Sequence, residues 1–329
     1  MRRRRAAPPA PLPQRDGIDP VRLRLPDPGV WPTVRAYLVH RLPGVPPEHF
    51  DAMLAAGEIW DEHGPLAPDA PYRPGDHVWF HRELAPETPV PFPLTVLHRD
   101  ERILVVDKPH FLATTPRGRH VTETALARLR RDLDLPELSP AHRLDRLTAG
   151  LALFVVQPRR RGAYQTMFRD RRAHKEYRAV APYRPELALP VTVHSHIVKE
   201  RGIIAAHEVP GAEPNAESRI ELADHRDTPG LPDESLGLYR LVPTTGRTHQ
   251  LRLHMSSLGV PILGDPVYPV VRDEPAPDDF SEPLQLLASV LEFTDPVTGE
   301  PLRFTTSRTL ARWPDPVPPP STTDTPGWP

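Results

Sequence analysis

The sequence predicts an α+β fold, in which a large domain with a mixed, mostly antiparallel sheet follows a small α/β domain. Short apolar runs that are typical of strands, such as Leu151 to Val156, outnumber the helical patterns. These runs follow one another at hairpin spacing more often than they alternate with helices. A segment with four prolines in eight residues, 86–93, separates the two parts and is typical of a linker.

Composition excludes several classes of protein. The 329 residues suffice for one large domain and a smaller one, and 38% hydrophobic with 26% charged residues argue against a membrane protein or a fully disordered chain. We expect neither a membrane span nor a secretory signal, and a cytoplasmic location. The absence of cysteine excludes disulfides, thiolate catalysis and cysteine-based zinc sites.

The charge pattern points to a particular kind of partner. Net charge is only −2, but 38 of the 41 basic residues are arginine, because lysine occurs only at positions 108, 175 and 199. Arginine can fork onto phosphate oxygens or stack on a base. The clusters at 128–131, 159–161 and 169–172 flank the central part of the chain, which favours a surface that faces RNA.

The small domain is predicted at residues 31–85. Residues 1–30 lack periodicity and predict a disordered arm. Apolar residues at helical spacing then predict two helices, around Val34 to Leu42 and Phe50 to Leu54, and strands follow at 57–60 and 77–80. The linker covers 86–94, the large domain 95–312, and a second disordered segment 313–329.

The large domain contains a clear order of strands and helices. Helices are predicted at 122–133 with Thr122 as the N-cap, at 162–173 and at 247–258. Strand 175–181 places Lys175 and Tyr177 on one face and Glu176 on the other. The remaining strands are predicted at 103–106, 151–156, 190–198, 202–209, 217–222, 238–242, 284–293 and 302–304.

Two charged residues have unusual settings. Asp145 lies between Arg143 and Arg146, in front of the buried strand that begins at Leu151, so it is either a functional carboxylate or a loop ion pair. A helix from Arg247 would place this arginine on the apolar face with Leu251, where burial requires a carboxylate partner. We predict that this partner is Asp145; the alternative is that Arg247 caps the turn and points to solvent.

Three stretches resemble, in order and spacing, the signature regions of the RluA-type pseudouridine synthases. They read HRLDRLTAGL (142–151), KEYRAV (175–180) and TGRTHQLRLHM with GVPILGDPVY (245–268). The segment ILVVDKP (103–109) resembles the leading strand of that family. The helices and strands of residues 31–85 resemble an S4 RNA-binding module, in which similar Gly-x-Val and Gly-Asp elements recur.

The resemblance implies roles for seven residues. They are the catalytic residues Asp145, Tyr177 and Arg247, and the substrate-binding residues Arg143, Leu251, His142 and Lys175. Asp145 would attack a flipped uridine at C1′ or remove a proton at C2′, and Tyr177 would pack on the base and help to remove the C5 proton. Arg247 would pair with Asp145, while Arg143 would fill the space left by the flipped nucleotide.

We therefore expect a monomeric RNA pseudouridine synthase with the family fold, without cofactor, metal or membrane partner. The S4-like module favours ribosomal RNA as the substrate, and transfer RNA remains open. One alternative is a non-catalytic RNA-binding or ribosome-assembly factor with this fold. A nucleoside or glycoside hydrolase is a further alternative, but it would need a second catalytic carboxylate.

Overall fold

The computed structural model describes residues 8–227, 235–273 and 276–314. The chain divides into two compact units, an N-terminal unit that ends at Pro86 and a C-terminal unit that begins at Glu87. Within the described ranges, no helix has both the length and the apolar character that a membrane span requires.

The N-terminal unit packs two helices against a two-stranded sheet. Its elements are β1 (Val21–Arg24), α1 (Val34–Arg41), α2 (Pro47–Ala55) and β2 (His77–Phe80), with β1 and β2 antiparallel. Thr33 caps α1, because its hydroxyl accepts a hydrogen bond from the amide of Ala36 at 3.2 Å. Both predicted helices and the second predicted strand are confirmed.

Two expectations for this unit are wrong. Residues 21–25 are not a disordered arm, because they form β1 and bury Leu25; the alternation V-R-L-R-L was hidden by the surrounding arginines and prolines. Residues 1–7 lie outside the described ranges. The strand expected at 57–60 is reduced to isolated bridges from Trp60 to Pro65 and Trp79.

The C-terminal unit is built on a ten-stranded sheet, and the predicted fold class is confirmed. The described strands of this unit are β3 (Thr95–Arg99), β4 (Ile103–Lys108), β5 (Ser139–Pro140), β6 (Ala149–Val155), β7 (Ala173–Pro182), β8 (Val191–Ser195), β9 (Ile197–Val198), β10 (His207–Glu208), β11 (Ala216–Arg226), β12 (Leu236–Pro243), β13 (Leu286–Thr294) and β14 (Pro301–Thr305). Of these, β9 and β10 form a separate antiparallel pair. In the ten-stranded sheet, eight strands run in the order β3-β4-β6-β13-β7-β12-β11-β8, with β14 on β13 and β5 on β6. Only the pair β6 and β13 is parallel in the sheet that the structure describes.

The core lies on both faces of the central strands. All residues of β4 and β6 are buried, which explains why these strands are continuous apolar runs in the sequence. Helix α3 (Ala125–Asp132) contributes Leu126 and Leu129 to the cluster on one face, and α4 (Arg161–Arg169) contributes Tyr164 and Met167 to the other. The third helix of this unit, α5 (Gln250–Ser257), packs in a separate cluster near β11 and β12.

Several boundaries in this unit differ from prediction. Helix α3 is capped by Thr124, whose hydroxyl accepts from the amide of Ala127 at 3.1 Å, rather than by Thr122. The strand expected at 202–209 is limited to β10, and α5 begins three residues later than predicted. The latter shift alters the position of Arg247.

The predicted linker and tail are partly ordered. The carboxylate of Glu87 accepts the amide hydrogens of Val121 and Thr122 at 2.8 and 2.7 Å, so the proline-rich segment is fixed to the C-terminal unit. Trp313 is buried, which contradicts the disordered segment predicted from residue 313. Residues 315–329 lie outside the described ranges.

Gly150 makes a position on β6 intolerant of any side chain. Its φ is +105°, and a Cβ atom would lie 2.2 Å from the carbonyl oxygen of Ala288 on the parallel neighbour β13. We expect Gly150→Ala to lower the free energy of unfolding by about 2–5 kcal/mol, because strain and overpacking add. Urea unfolding measures this loss.

Gly162→Ala is the matched control for that measurement. Gly162 is exposed on the solvent side of helix α4, and a Cβ atom there meets nothing within 4 Å. We expect this change to stabilise the protein by about 0.5–1 kcal/mol. Equal unfolding free energies for the two variants would contradict the packing of β6 against β13.

Candidate active site

Asp145 lies on a short loop that is held rigidly before β6. The hydroxyl of Thr114 donates to the carbonyl of Leu144 at 2.7 Å and accepts from its amide at 3.1 Å. The amide of Thr148 donates to the carbonyl of Asp145 at 3.1 Å and closes the turn. The Asp145 side chain is 33% exposed, so a fixed backbone presents a solvent-accessible carboxylate.

This carboxylate opens into a cavity of about 700 Å³, which is within the range of small-ligand sites. The wall is formed by the Asp145 loop, α4, β7 and residues 243–252. All seven predicted site residues line this cavity, namely Asp145, Tyr177, Arg247, Arg143, Leu251, His142 and Lys175. Among the described lining residues, Asp145 is the only acidic one.

The predicted ion pair between Asp145 and Arg247 is wrong, and the partner is Arg252. The Nη1 atom of Arg252 lies 3.8 Å from Oδ2 of Asp145, and the Arg252 side chain is only 3% exposed. His249 adopts a left-handed conformation with φ of 59°, so α5 begins after Arg247. Arg247 is exposed in the preceding loop and donates from Nε to the carbonyl of Asn215 at 3.2 Å.

Gln250 fixes the loop that carries Arg247. Its side-chain oxygen accepts from the hydroxyl of Thr245 at 2.7 Å and from the amide of Arg247 at 3.0 Å. Its side-chain nitrogen donates to the carbonyl of Glu217 and the hydroxyl of Ser218. This buried amide therefore ties the Arg247 loop to β11, and Arg247 remains at the cavity wall.

Lys175 and Tyr177 project from one face of β7, as predicted. The ammonium group of Lys175 donates to the carbonyl of Thr245 at 3.1 Å; burial, followed by the charge of Arg171, lowers the pKa of Lys175 to about 8. Burial and the charge of Asp145 raise the pKa of the Tyr177 hydroxyl, so this residue is a neutral phenol. Glu176 faces away and accepts from Nε of Arg240 at 2.9 Å.

His142 contacts the protein interior as well as the cavity. Its ring stacks on Phe168 with 4.3 Å between centroids, and Nε2 accepts from the amide of Leu153 at 3.1 Å. Burial lowers the pKa of His142 to about 3, so the ring is neutral. These contacts fix His142 against β6 and α4, which is a structural role. Its contact with the substrate stays a prediction.

Lys108 is a buried residue near the site for which the sequence suggested no role. It is wholly buried at the end of β4, and Nζ donates to the carbonyls of Leu112 at 2.7 Å, Pro109 at 3.0 Å and Arg146 at 3.3 Å. Burial lowers its pKa to about 7, while the charge of Asp145 opposes this change. The hydrogen bond to the carbonyl of Arg146 ties the loop that carries Asp145 to β4.

The mouth of the cavity carries a concentration of positive charge. Exposed arginines from three segments line it, namely Arg143, Arg169, Arg171 and Arg247. Of the three predicted arginine clusters, only 169–172 contributes to this lining. Such a basic margin attracts a polyanion such as RNA. In the described parts of the chain, no group of three or more histidine and acidic side chains is arranged to hold a metal ion.

Comparison with known proteins places this geometry in a family. Residues 102–257 match the family model of RNA pseudouridylate synthases. The dual-specificity RNA pseudouridine synthase RluA of Haemophilus influenzae is 30% identical over 219 residues, which span 64% of this chain and 91% of that protein. An uncharacterized RNA pseudouridine synthase of Chlorobaculum parvum is 30% identical over 297 residues, with 82% and 88% covered.

A solved structure supports the fold. Human RNA pseudouridylate synthase domain containing 1 superposes with a TM-score of 0.51 at 24% identity, covering 66% of this chain and 84% of that one. The matched segment 102–257 contains Asp145, Tyr177 and Arg252, so the family match includes the carboxylate, the phenol and the buried arginine of the cavity. The chain therefore belongs to the RluA-type family of RNA pseudouridine synthases.

Proposed function

We propose that this isomerase converts specific uridines of ribosomal RNA to pseudouridine, with Asp145 as the catalytic carboxylate. The observation that supports this proposal best is the environment of Asp145, a lone carboxylate among the described lining residues of the cavity, with a buried arginine 3.8 Å away. The basic margin supports a polyanionic substrate. We expect the enzyme to act in the cytoplasm as a monomer.

The reaction needs only one carboxylate. Isomerisation breaks the bond between C1′ and N1 and forms one between C1′ and C5, while C5 loses a proton and N1 gains one. Asp145 would start it by adding to C1′ or by removing a proton from C2′. Glycoside hydrolysis normally uses two flanking carboxylates, one of which activates water. The lining therefore favours rearrangement over hydrolysis.

The cavity suits a nucleotide taken out of its stack. Extrusion of a base costs a few kcal/mol, and aromatic and apolar contacts in the pocket offset part of this cost. Tyr177 and Leu251 would supply these contacts, while exposed Arg143 would occupy the space left in the RNA. Because Tyr177 is a neutral phenol, any part it takes in removing the C5 proton must be a relay that passes its own proton on.

Ribosomal RNA is favoured because the N-terminal unit resembles an S4 module, with two helices packed beside strands β1 and β2. Transfer RNA is the second candidate substrate, and the dual-specificity name of the H. influenzae relative supports a test of more than one class of RNA. Both substrates therefore belong in one assay.

Tritium release from RNA tests the proposal. Ribosomal and transfer RNA transcripts labelled with tritium at C5 of uridine are incubated with the purified full chain. We expect solvent tritium to reach a whole number of equivalents per ribosomal transcript, with no free uracil. Free uracil would indicate hydrolysis. Tritium release from transfer RNA alone would identify transfer RNA, and not ribosomal RNA, as the substrate. No release from either RNA would favour the non-catalytic alternative.

A fragment of residues 87–329 tests the role of the N-terminal unit. The fragment keeps Glu87, whose carboxylate is bound to Val121 and Thr122, so we expect it to fold and to keep turnover at saturating RNA. RNA affinity should fall by at least about tenfold, because cationic contacts are lost. Affinity equal to that of the full chain would contradict RNA binding by this unit, and an unfolded fragment would contradict the boundary.

A further inference from the structure

We propose that Asp265 is a positioning residue, which binds two nitrogens of Arg252 and leaves only the third directed at Asp145. The inference rests on the proposed function, because it concerns the same site. Asp265 itself does not line the cavity. It acts on the reaction through the orientation and the charge of Arg252.

Arg252 and Asp265 form a buried, bidentate ion pair. Nε of Arg252 donates to Oδ2 of Asp265 at 2.7 Å, and Nη2 donates to Oδ1 at 2.6 Å. The two side chains are only 3% and 1% exposed. Burial opposes the charge of Arg252, but the hydrogen bonds and charge of Asp265, together with the charge of Asp145, outweigh this and raise the pKa of Arg252. A bidentate buried pair of this kind has one orientation, so the guanidinium cannot turn freely.

Asp265 is in turn held by its own backbone. Its Oδ1 also accepts the amides of Val267 at 2.8 Å and Tyr268 at 3.2 Å, which fixes the carboxylate in the turn after α5. The Tyr268 ring lies under the guanidinium of Arg252, 5.4 Å from its carbon to the ring centroid. The Tyr268 hydroxyl accepts from the amide of Ala206 at 2.8 Å and donates to its carbonyl at 3.0 Å.

This arrangement keeps Asp145 available for substrate. The distance of 3.8 Å from Nη1 of Arg252 is too long for a hydrogen bond, so the cation stabilises the Asp145 anion without occupying its oxygens. An arginine without another partner would form a bidentate pair with the nearest carboxylate. Without the charge of Asp265, Arg252 would therefore bind Asp145 directly and compete with the uridine.

Asp265→Asn is the direct test, with single-turnover rates measured at saturating RNA. The asparagine keeps the oxygen that accepts the two amides and removes the charge that orients Arg252. We expect the rate constant to fall by at least about tenfold while RNA affinity changes by less than about threefold, since Asp265 is outside the cavity lining.

Asp295→Asn is a closely matched control. Asp295 is also about 1% exposed, and its Oδ1 accepts the amides of Val297 at 2.8 Å and Thr298 at 3.3 Å, which are again the second and third residues after it. Arg102 lies 3.7 Å away, but Asp295 is outside the cavity lining. We expect this variant to keep the wild-type rate constant within about twofold per folded molecule.

A double-mutant cycle distinguishes positioning from a loss of structure. If Asp265 acts through Arg252, adding Asp265→Asn to Arg252→Met should slow the rate by less than about twofold, whereas independent effects would multiply. Multiplying effects, or equal rates for Asp265→Asn and Asp295→Asn, would overturn the inference.

Should Asp265→Asn fail to fold, Asp265→Glu provides a second test. The glutamate keeps the charge but displaces the guanidinium of Arg252, and the same tenfold slowing is expected. A wild-type protein without turnover would overturn the proposed function and the inference with it.

Discussion

Asp145→Asn is expected to lower the rate of uridine isomerisation by at least about 10³-fold, the scale at which loss of a nucleophile acts in other enzymes. The amide has nearly the shape of the carboxylate but can neither add to C1′ nor take a proton from C2′. RNA affinity should stay within severalfold or increase, because a negative charge is removed from a basic cavity. Tritium release measures the rate, and filter binding measures the affinity.

Asp132→Asn controls for the change of charge. Asp132 is exposed, pairs with Arg131 at 2.8 Å and lies outside the cavity lining, so wild-type turnover is expected. Substantial activity in Asp145→Asn would contradict the assignment of Asp145 as the catalytic carboxylate. A joint loss of activity and RNA affinity in that variant would instead indicate that the cavity had collapsed.

The C-terminal unit is expected to unfold in mild acid, with a midpoint at about pH 5. Burial lowers the pKa of four of its histidines: His110 to about 4, His142 to about 3, His249 to about 4 and His254 to about 4. In the unfolded chain histidine titrates near 6.5. The unfolded state therefore binds more protons at these four rings below this pH, so their contribution to stability is complete above it and is lost as the pH falls towards 4.

The expected magnitude is large. Each proton taken up only by the unfolded state adds about 1.4 kcal/mol per pH unit to the slope, and four such protons approach a typical total stability of about 5–15 kcal/mol within two units. Urea unfolding followed by circular dichroism between pH 7.5 and 4.5 measures this slope. A stability that is constant over this range would contradict the buried, neutral state of these rings.

His254→Gln identifies one contributor. Its Nε2 lies 2.9 Å from the hydroxyl of Ser195, a contact that an amide can also make. The variant should reduce the slope between pH 6 and 5 by about 1.4 kcal/mol per pH unit relative to the wild type. A slope equal to that of the wild type would contradict a contribution of His254 to the acid transition.

Short-range patterns were sufficient to predict most of the fold. Strands β4 and β6 are apolar over their whole length because both faces are buried, and β7 alternates as its sequence indicates. All seven predicted site residues line one cavity, because the signature stretches meet on neighbouring segments. The pairing of β6 with β13 in parallel joins residues far apart in the chain, which no local pattern encodes.

The prediction failed where one backbone angle decided the outcome. Helical spacing from Arg247 required the helix to begin there, but the left-handed His249 delays it until Gln250. The arginine that faces Asp145 is therefore Arg252, which lies in the same signature stretch between two leucines. An arginine flanked by two leucines on a predicted helix could therefore have identified Arg252 as a buried partner of Asp145 from the sequence.

Two contributors to the site depend on contacts that sequence spacing does not reveal. Lys108 ends an apolar strand, and only the fold shows that its ammonium group binds the carbonyl of Arg146, 38 residues away. Asp265 looks like an ordinary turn residue after Gly264, and its bond to Arg252 requires the chain to fold back after α5. Neither residue lines the cavity, and each affects Asp145 through a neighbour, Lys108 through Arg146 and Asp265 through Arg252.

Mapping of pseudouridine in host RNA tests the central claim most directly. Carbodiimide labelling and reverse transcription are applied to total RNA from cells with and without the gene. We predict that deletion removes one or a few stops in ribosomal RNA, and that the wild-type gene restores them while Asp145→Asn does not. An unchanged pattern of stops, together with a purified protein that is inert on host RNA, would contradict pseudouridine formation by this chain.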